Sequence, residues 1–205
     1  MRSIVVLLSG RGSNLESIAR SCASGALEKR LKITAVIADR DACAGTECAK
    51  SLGIASYVVP FNQFEQRTDF EQALADLIRP MSVDWIVLAG FMRVLGADFV
   101  AEFAGRLINI HPSLLPLFPG LHTHRQALQA KATEHGATVH YVTAQLDAGP
   151  TILQAKVPVL QNDDELSLAK RVLVAEHDLY PAALLKLIEQ PVARTKNDEF
   201  PSNKK

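Results

Sequence analysis

Asn109 and His111 stand two residues apart, a carboxylate follows at Asp147, and no Gly-x-Ser-x-Gly elbow or well-placed nucleophilic cysteine accompanies them. An amide and an imidazole together suit a reaction in which negative charge grows on a carbonyl oxygen. The amide donates a hydrogen bond to that oxyanion, and the imidazole donates a second or acts as general acid. A free imidazole, with a pKa of about 6.5, is only partly protonated at neutral pH, so a carboxylate beside it would favour the charged form. Without a covalent nucleophile, the pattern points to direct attack of one substrate on another: acyl transfer to an amine.

A second constellation is Ser9-Gly10-Arg11-Gly12-Ser13-Asn14, between a strand-like run and a helix-like one. Free N–H groups at a helix start attract an anion. A dinucleotide fingerprint would need a third glycine three residues after Gly12, where Leu15 stands, and no Walker A loop is present. Two readings remain: a cradle for a small phosphate or carboxylate, with Ser13 and Asn14 adding donors, or a plain helix cap supplied by one of those side chains.

The elements that must carry these groups alternate. Apolar runs at 4–8, 33–38, 56–59, 85–89 and 107–110 read as strands, and 15–23, 46–52, 64–78 and 97–103 as helices. Such alternation predicts an α/β fold, a doubly wound and mostly parallel sheet with helices on both faces. Asn109 and His111 then close the fifth strand on one face, at the strand end where ligands bind in open α/β sheets. Pro112 and Pro116 stiffen the connector that follows. A helix at 123–130, strands at 137–143 and 151–160, and a closing helix at 163–188 capped by Asp163 or Asp164 add a mixed C-terminal part. Asp147 lies in Leu146-Asp147-Ala148-Gly149-Pro150, a loop able to present a carboxylate between two strands. One domain over 1–188 with a tail at 189–205 is the expected organisation, since a single core serves chains up to about 250 residues.

Composition narrows the function classes. Twenty-two basic residues balance twenty-two acidic ones, which leaves no net field for holding nucleic acid. No apolar run approaches a membrane span of roughly 18 residues, and the short first strand followed by Gly10-Arg11-Gly12 is unlike a signal sequence, so a cytoplasmic protein is expected. Cys22, Cys43 and Cys48 lack a Cys-x-x-Cys pair and read as reduced structural thiols, with no metal expected. His122 and His124 read as donors of turn-stabilising hydrogen bonds, and His135 and His140 as surface and wall residues. Arg67 and Arg93 read as solvated arginines or ligand contacts, and Glu176 as a ligand contact or the partner of His177 in an ion pair.

Taken together, the run Asn109-Ile110-His111-Pro112-Ser113-Leu114-Leu115-Pro116, the Asp147 loop and Gly12-Ser13-Asn14 resemble the phosphoribosylglycinamide formyltransferase family of folate-dependent enzymes, over nearly the whole chain. The resemblance implies a Rossmann-like formyltransferase fold and transfer of a formyl group from 10-formyltetrahydrofolate to phosphoribosylglycinamide in purine synthesis. It implies catalysis by Asn109, His111 and Asp147, with Gly12, Ser13 and Asn14 on the substrate phosphate and Glu176 on its ribose hydroxyls. The folate would meet Arg67, Asn109 and the run Met92, Arg93, Val94, Leu95, against an apolar wall of Leu88, Val100, Leu107 and Val142. A monomer or weak homodimer without nucleic-acid or membrane partners is expected. The chain departs from the family at Ala148, Leu117 and Leu173, which bear on loop flexibility and phosphate contact. A transferase acting on initiator tRNA would need a second, basic domain. A formate-releasing hydrolase would carry an N-terminal regulatory domain, expected here to be absent. A ligand-sensing module without turnover is the alternative from another class.

Overall fold

The first strand, β1 (Arg2–Leu8), sends Ile4, Val6 and Leu8 into one apolar cluster and Val5 and Leu7 into another. All five side chains are buried, so this strand needs cover on both faces. In the computed structural model, which describes residues 1–190, the chain supplies that cover by alternation. In order it forms α1 (Ser13–Ser24), β2 (Leu31–Ala38), α2 (Ala44–Ser51), β3 (Ser56–Val58), α3 (Arg67–Ile78), β4 (Trp85–Leu88), α4 (Ala97–Glu102) and β5 (Leu107–His111). Then follow α5 (Thr123–Gln129), β6 (Glu134–Tyr141), β7 (Thr151–Pro158) and α6 (Glu165–Glu189).

The seven strands make one sheet in the order β3-β2-β1-β4-β5-β6-β7. β1 to β5 run parallel, and β6 and β7 add antiparallel pairs at one edge. Leu15 and Ile18 of α1 pack with Leu168, Val172 and Leu184 of α6 on one face. Phe70 and Leu74 of α3 pack with Phe99 and Val100 of α4 on the other. This is the expected α/β, doubly wound, mostly parallel sheet with a mixed C-terminal part. The strand order reverses between β1 and β4, which places the loops after β1, β4 and β5 along one edge.

Several boundaries differ from the sequence expectation. The helix expected at 64–78 starts at Arg67, because Phe61–Gln63 forms a separate 3-10 turn and Gln66 is extended. Phe61 and Phe64 meet Phe70 edge-on from outside the helix. β6 begins three residues earlier than the expected 137, at Glu134. Of the two candidate caps of α6, Asp164 is the one used: it forms a reciprocal capping box with Ser167, while Asp163 pairs with Arg171. Glu189 is the last helical residue rather than the first of a tail, and the remainder of the expected tail, 191–205, lies outside the described residues.

Candidate active site

Asn109 and His111 sit at the end of β5, opposite His140 and Thr138 of β6 respectively. Antiparallel pairing therefore brings a second imidazole beside the Asn109 amide, with Asn109 Nδ2 and His140 Nε2 3.3 Å apart. His140 Nδ1 faces the Tyr141 carbonyl at 2.9 Å and so carries the proton, which leaves Nε2 to accept from the amide. Burial pushes the His140 pKa down; the Tyr141 carbonyl and Asp147 only partly oppose this, and His111 adds to it. A neutral His140 thus fixes the amide with one N–H used and the second free.

Asp147 enters from the β6–β7 loop in the left-handed region, φ 50°, a conformation Asp tolerates better than most residues. Its Oδ2 accepts from Gly120 N at 2.9 Å and lies 3.4 Å from His111 Nδ1. The other oxygen, Oδ1, lies 3.9 Å from His140 Nε2. His111 Nε2 faces the Phe118 carbonyl at 3.0 Å, so both ring nitrogens have oxygen acceptors, an arrangement satisfied in full by a doubly protonated ring. The connector 112–122 is held against β6: Thr138 Oγ1 donates to Ser113 O and accepts from Leu115 N, and Gln154 Nε2 donates to Leu115 O. The expected rigidity comes from these bonds as well as from the prolines.

At the end of β1, Gly12 itself is the N-cap of α1, with φ 83° and no side-chain cap bond. The capping alternative for Ser13 and Asn14 is thereby excluded. A side chain at Gly12 would be strained by that φ and would put its Cβ 3.0 Å from the Gly45 Cα. Asn14 Nδ2 instead donates to Glu176 Oε2 at 2.8 Å across the α1–α6 contact, and Asn14 Oδ1 is buried without a partner. Glu176 therefore bonds Asn14 and not His177. Its carboxyl is pushed up by burial, with the Asn14 hydrogen bond pulling the other way.

The loop after β4 borders the same edge. Ser9 N donates to Gly90 O and Met92 N to Ser9 Oγ, joining the loops after β1 and β4. Met92 and Val94 are exposed and Leu95 is buried. Leu88, Val100, Leu107 and Val142 share one apolar cluster with Phe91 and Leu95. Arg93 pairs with the buried Asp39, and Arg67 with Glu71. Burial raises the Asp39 carboxyl, but hydrogen bonds from Arg40, Arg93 and Ser9 outweigh it and hold the group below the ordinary carboxylate range. Leu117 and Ala148 are exposed, while Leu173 is half-buried. Hollows of about 420 and 470 Å³ open between α1 and α6 and beside Met1; Asn109, His111 and Asp147 line neither. The site is defined by its convergent polar groups.

Three expectations are corrected. His140 is more than a wall residue: it is 2% exposed and bonded to Asn109. His135 is also buried, 1% exposed, with no hydrogen bond to either ring nitrogen. His124 makes no turn-stabilising bond through Nε2; its ring meets His135 edge-on at 5.2 Å. The signal that could have found His140 is its place in a strand pairing antiparallel to β5.

A parallel sheet with a switch point, and an amide, an imidazole and a carboxylate at its edge, define a group-transfer enzyme of the acyl type. The formyl transferase family model matches residues 2–184, and the chain belongs to that family. Within it the chain falls among the phosphoribosylglycinamide formyltransferases. It is 46% identical over 182 residues to the phosphoribosylglycinamide formyltransferase of Escherichia coli, covering 89% of this chain and 85% of that protein. The glycinamide ribonucleotide transformylase 1 of Symbiobacterium toebii superposes with a TM-score of 0.88 at 42% identity, covering 92% and 88% of the two chains. The Brucella melitensis phosphoribosylglycinamide formyltransferase does so with a TM-score of 0.86 at 43% identity, covering 93% and 97%.

Proposed function

We propose that this chain transfers the formyl group of 10-formyltetrahydrofolate to the amine of 5′-phosphoribosylglycinamide, giving formylglycinamide ribonucleotide in purine synthesis. Gly12, Ser13 and Asn14 take the phosphate and Glu176 the ribose hydroxyls. Arg67, Asn109 and the run Met92, Arg93, Val94, Leu95 take the folate, with no metal. The protein works in the cytoplasm as a monomer or weak homodimer.

The amine nitrogen attacks the formyl carbon, and the carbonyl electron pair moves onto oxygen. The free N–H of Asn109 and the His111 ring donate to that oxyanion, with Asp147 supporting the charged ring. As the oxyanion collapses, the bond from carbon to the folate nitrogen breaks; that nitrogen gains a proton while the attacking nitrogen loses one. The observation that supports this most is the 3.4 Å approach of Asp147 Oδ2 to His111 Nδ1, across 36 positions of sequence, beside an amide already oriented by His140.

The test is direct: purified protein, both substrates, and measurement of formylglycinamide ribonucleotide together with the absorbance change on folate deformylation. Formate release at the same rate without the ribonucleotide would identify a hydrolase instead.

A further inference from the structure

The loop after β4 is held by a carboxylate that the catalytic reading does not use. Asp39, immediately after β2, has a side chain with 0% exposure, and two arginines converge on it: Arg40 Nε on Oδ1 at 3.1 Å and Arg93 Nε on Oδ2. The Arg93 guanidinium also lies over the Phe61 ring, 4.2 Å from its centroid. Asp39 itself is fixed along its backbone, since Asp39 N donates to Leu8 O and Phe61 N to Asp39 O. One residue thus joins the ends of β1, β2 and β3 to the loop after β4.

The neighbours of Arg93 in that loop behave differently. Met92 and Val94 are 64% and 59% exposed and have little apolar packing to hold them. Between the buried Phe91 and Leu95, a stretch held by Ser9 at Met92 N but without the Arg93 contact would sample more conformations, and a ligand recognised by its backbone would bear the cost of ordering it. A buried carboxylate is retained against its desolvation penalty only when well paired, and here the nearer of its two arginine partners belongs to this loop.

We propose that Asp39 is a positioning residue for the formyl donor: it takes the Arg93 side chain as an anchor, so that the backbone of Met92, Arg93, Val94 and Leu95 meets the reduced folate in one conformation. Arg93 serves as a tether, and its charge is matched by Asp39 rather than by a carboxylate of the folate. This inference rests on the proposed function, in which that loop receives the folate.

The test is steady-state kinetics with each substrate varied in turn, on wild type, Asp39→Ala, Asp39→Asn, Arg93→Ala and the double alanine variant. For Asp39→Ala the KM for 10-formyltetrahydrofolate rises about tenfold, kcat stays within about twofold, and the KM for the ribonucleotide is unchanged. Asp39→Asn keeps one acceptor for Arg93 and recovers most of the loss. The double variant is no worse than Arg93→Ala alone, because Asp39 acts through Arg93. If Asp39→Ala does not fold, Asp39→Asn and Arg93→Ala decide: both raise the folate KM selectively, the first less than the second. An unchanged folate KM, an equal rise in both KM values, or effects that multiply in the double variant overturn the proposal. Wild-type protein that moves no formyl group from this donor overturns the proposed function beneath it, which is a separate outcome from active wild type with insensitive variants.

Discussion

The Asn109 amide has two N–H bonds, and His140 Nε2 accepts one of them. What remains is a single donor of fixed direction, the condition under which an oxyanion contact lowers a barrier. Replacing Asn109 by alanine should lower kcat by roughly a hundredfold to a thousandfold while the folate and ribonucleotide still bind. His140→Phe keeps a planar ring and removes the acceptor; kcat should fall by about tenfold to a hundredfold with both KM values little changed, as misorientation of a catalytic group predicts. Equal loss in KM and kcat for His140→Phe would make it a packing residue. The strand-end placement of Asn109 and His111 and the loop placement of Asp147 were legible in the sequence, because residue type and spacing mark both. The role of His140 was not, because it comes from the antiparallel register that sets His140 against Asn109, and no local pattern marks that pairing. Nor was the anchoring of Arg93 legible: Asp39 lies 54 positions away and meets it only once β1 and β4 are neighbours.

Between residues and fold, α6 carries Glu176 and must be set against the sheet. Tyr180, fully buried, reaches the carbonyls of Leu88 and Ile108 at 3.0 and 3.1 Å, the strands that lead to the Met92 loop and to Asn109. Tyr180→Phe leaves buried carbonyl oxygens without this donor and should cost about 1–2 kcal/mol, measured as a lowered urea midpoint at unchanged slope. At the sheet edge a Cβ on Gly136 would lie 2.0 Å from Ala155 O, a backbone atom that cannot yield cheaply. Gly136→Ala should destabilise by roughly 2–3 kcal/mol by the same measurement. A variant as stable as wild type would mean that β6 and β7 separate more readily than their ladder suggests. The parallel strands were legible because sheets covered on both faces demand continuous apolar runs, as in β1. The start of β6 was hidden because Glu134, His135 and Gly136 read as turn residues, although the last two are buried. The start of α3 was misread because Phe61 and Phe64 continue its apolar pattern from a 3-10 turn, and spacing alone does not separate the two.

At the scale of the whole molecule, the connector 112–122 lies against the buried His135 and the half-buried His124. Phe118 meets the His135 ring at 5.9 Å and His124 meets it at 5.2 Å, and neither nitrogen of His135 has a hydrogen-bond partner. Burial pushes His135 down to about 4, and His124 and His111 push the same way. His124 is lowered as well, chiefly by burial. A group whose pKa is lower in the folded state takes up its proton first in the unfolded chain. Its destabilising effect is therefore absent above the unfolded value of 6.5 and grows as pH falls towards 4. For His135 alone the loss should reach about 3 kcal/mol by the lower limit. Carboxylates held low, Asp39 by Arg40 and Arg93 and Asp84 by the Ser3 backbone N–H and Arg2, add their loss only as pH falls below their ordinary range, so the two causes separate along the pH axis. Urea unfolding between pH 7 and 4 on wild type and His135→Phe reads this directly. The phenylalanine variant keeps an edge-on ring without a titrating nitrogen, and its stability should decline less steeply over that window. Parallel declines over that window would show that the acid sensitivity between pH 7 and 4 does not come from His135.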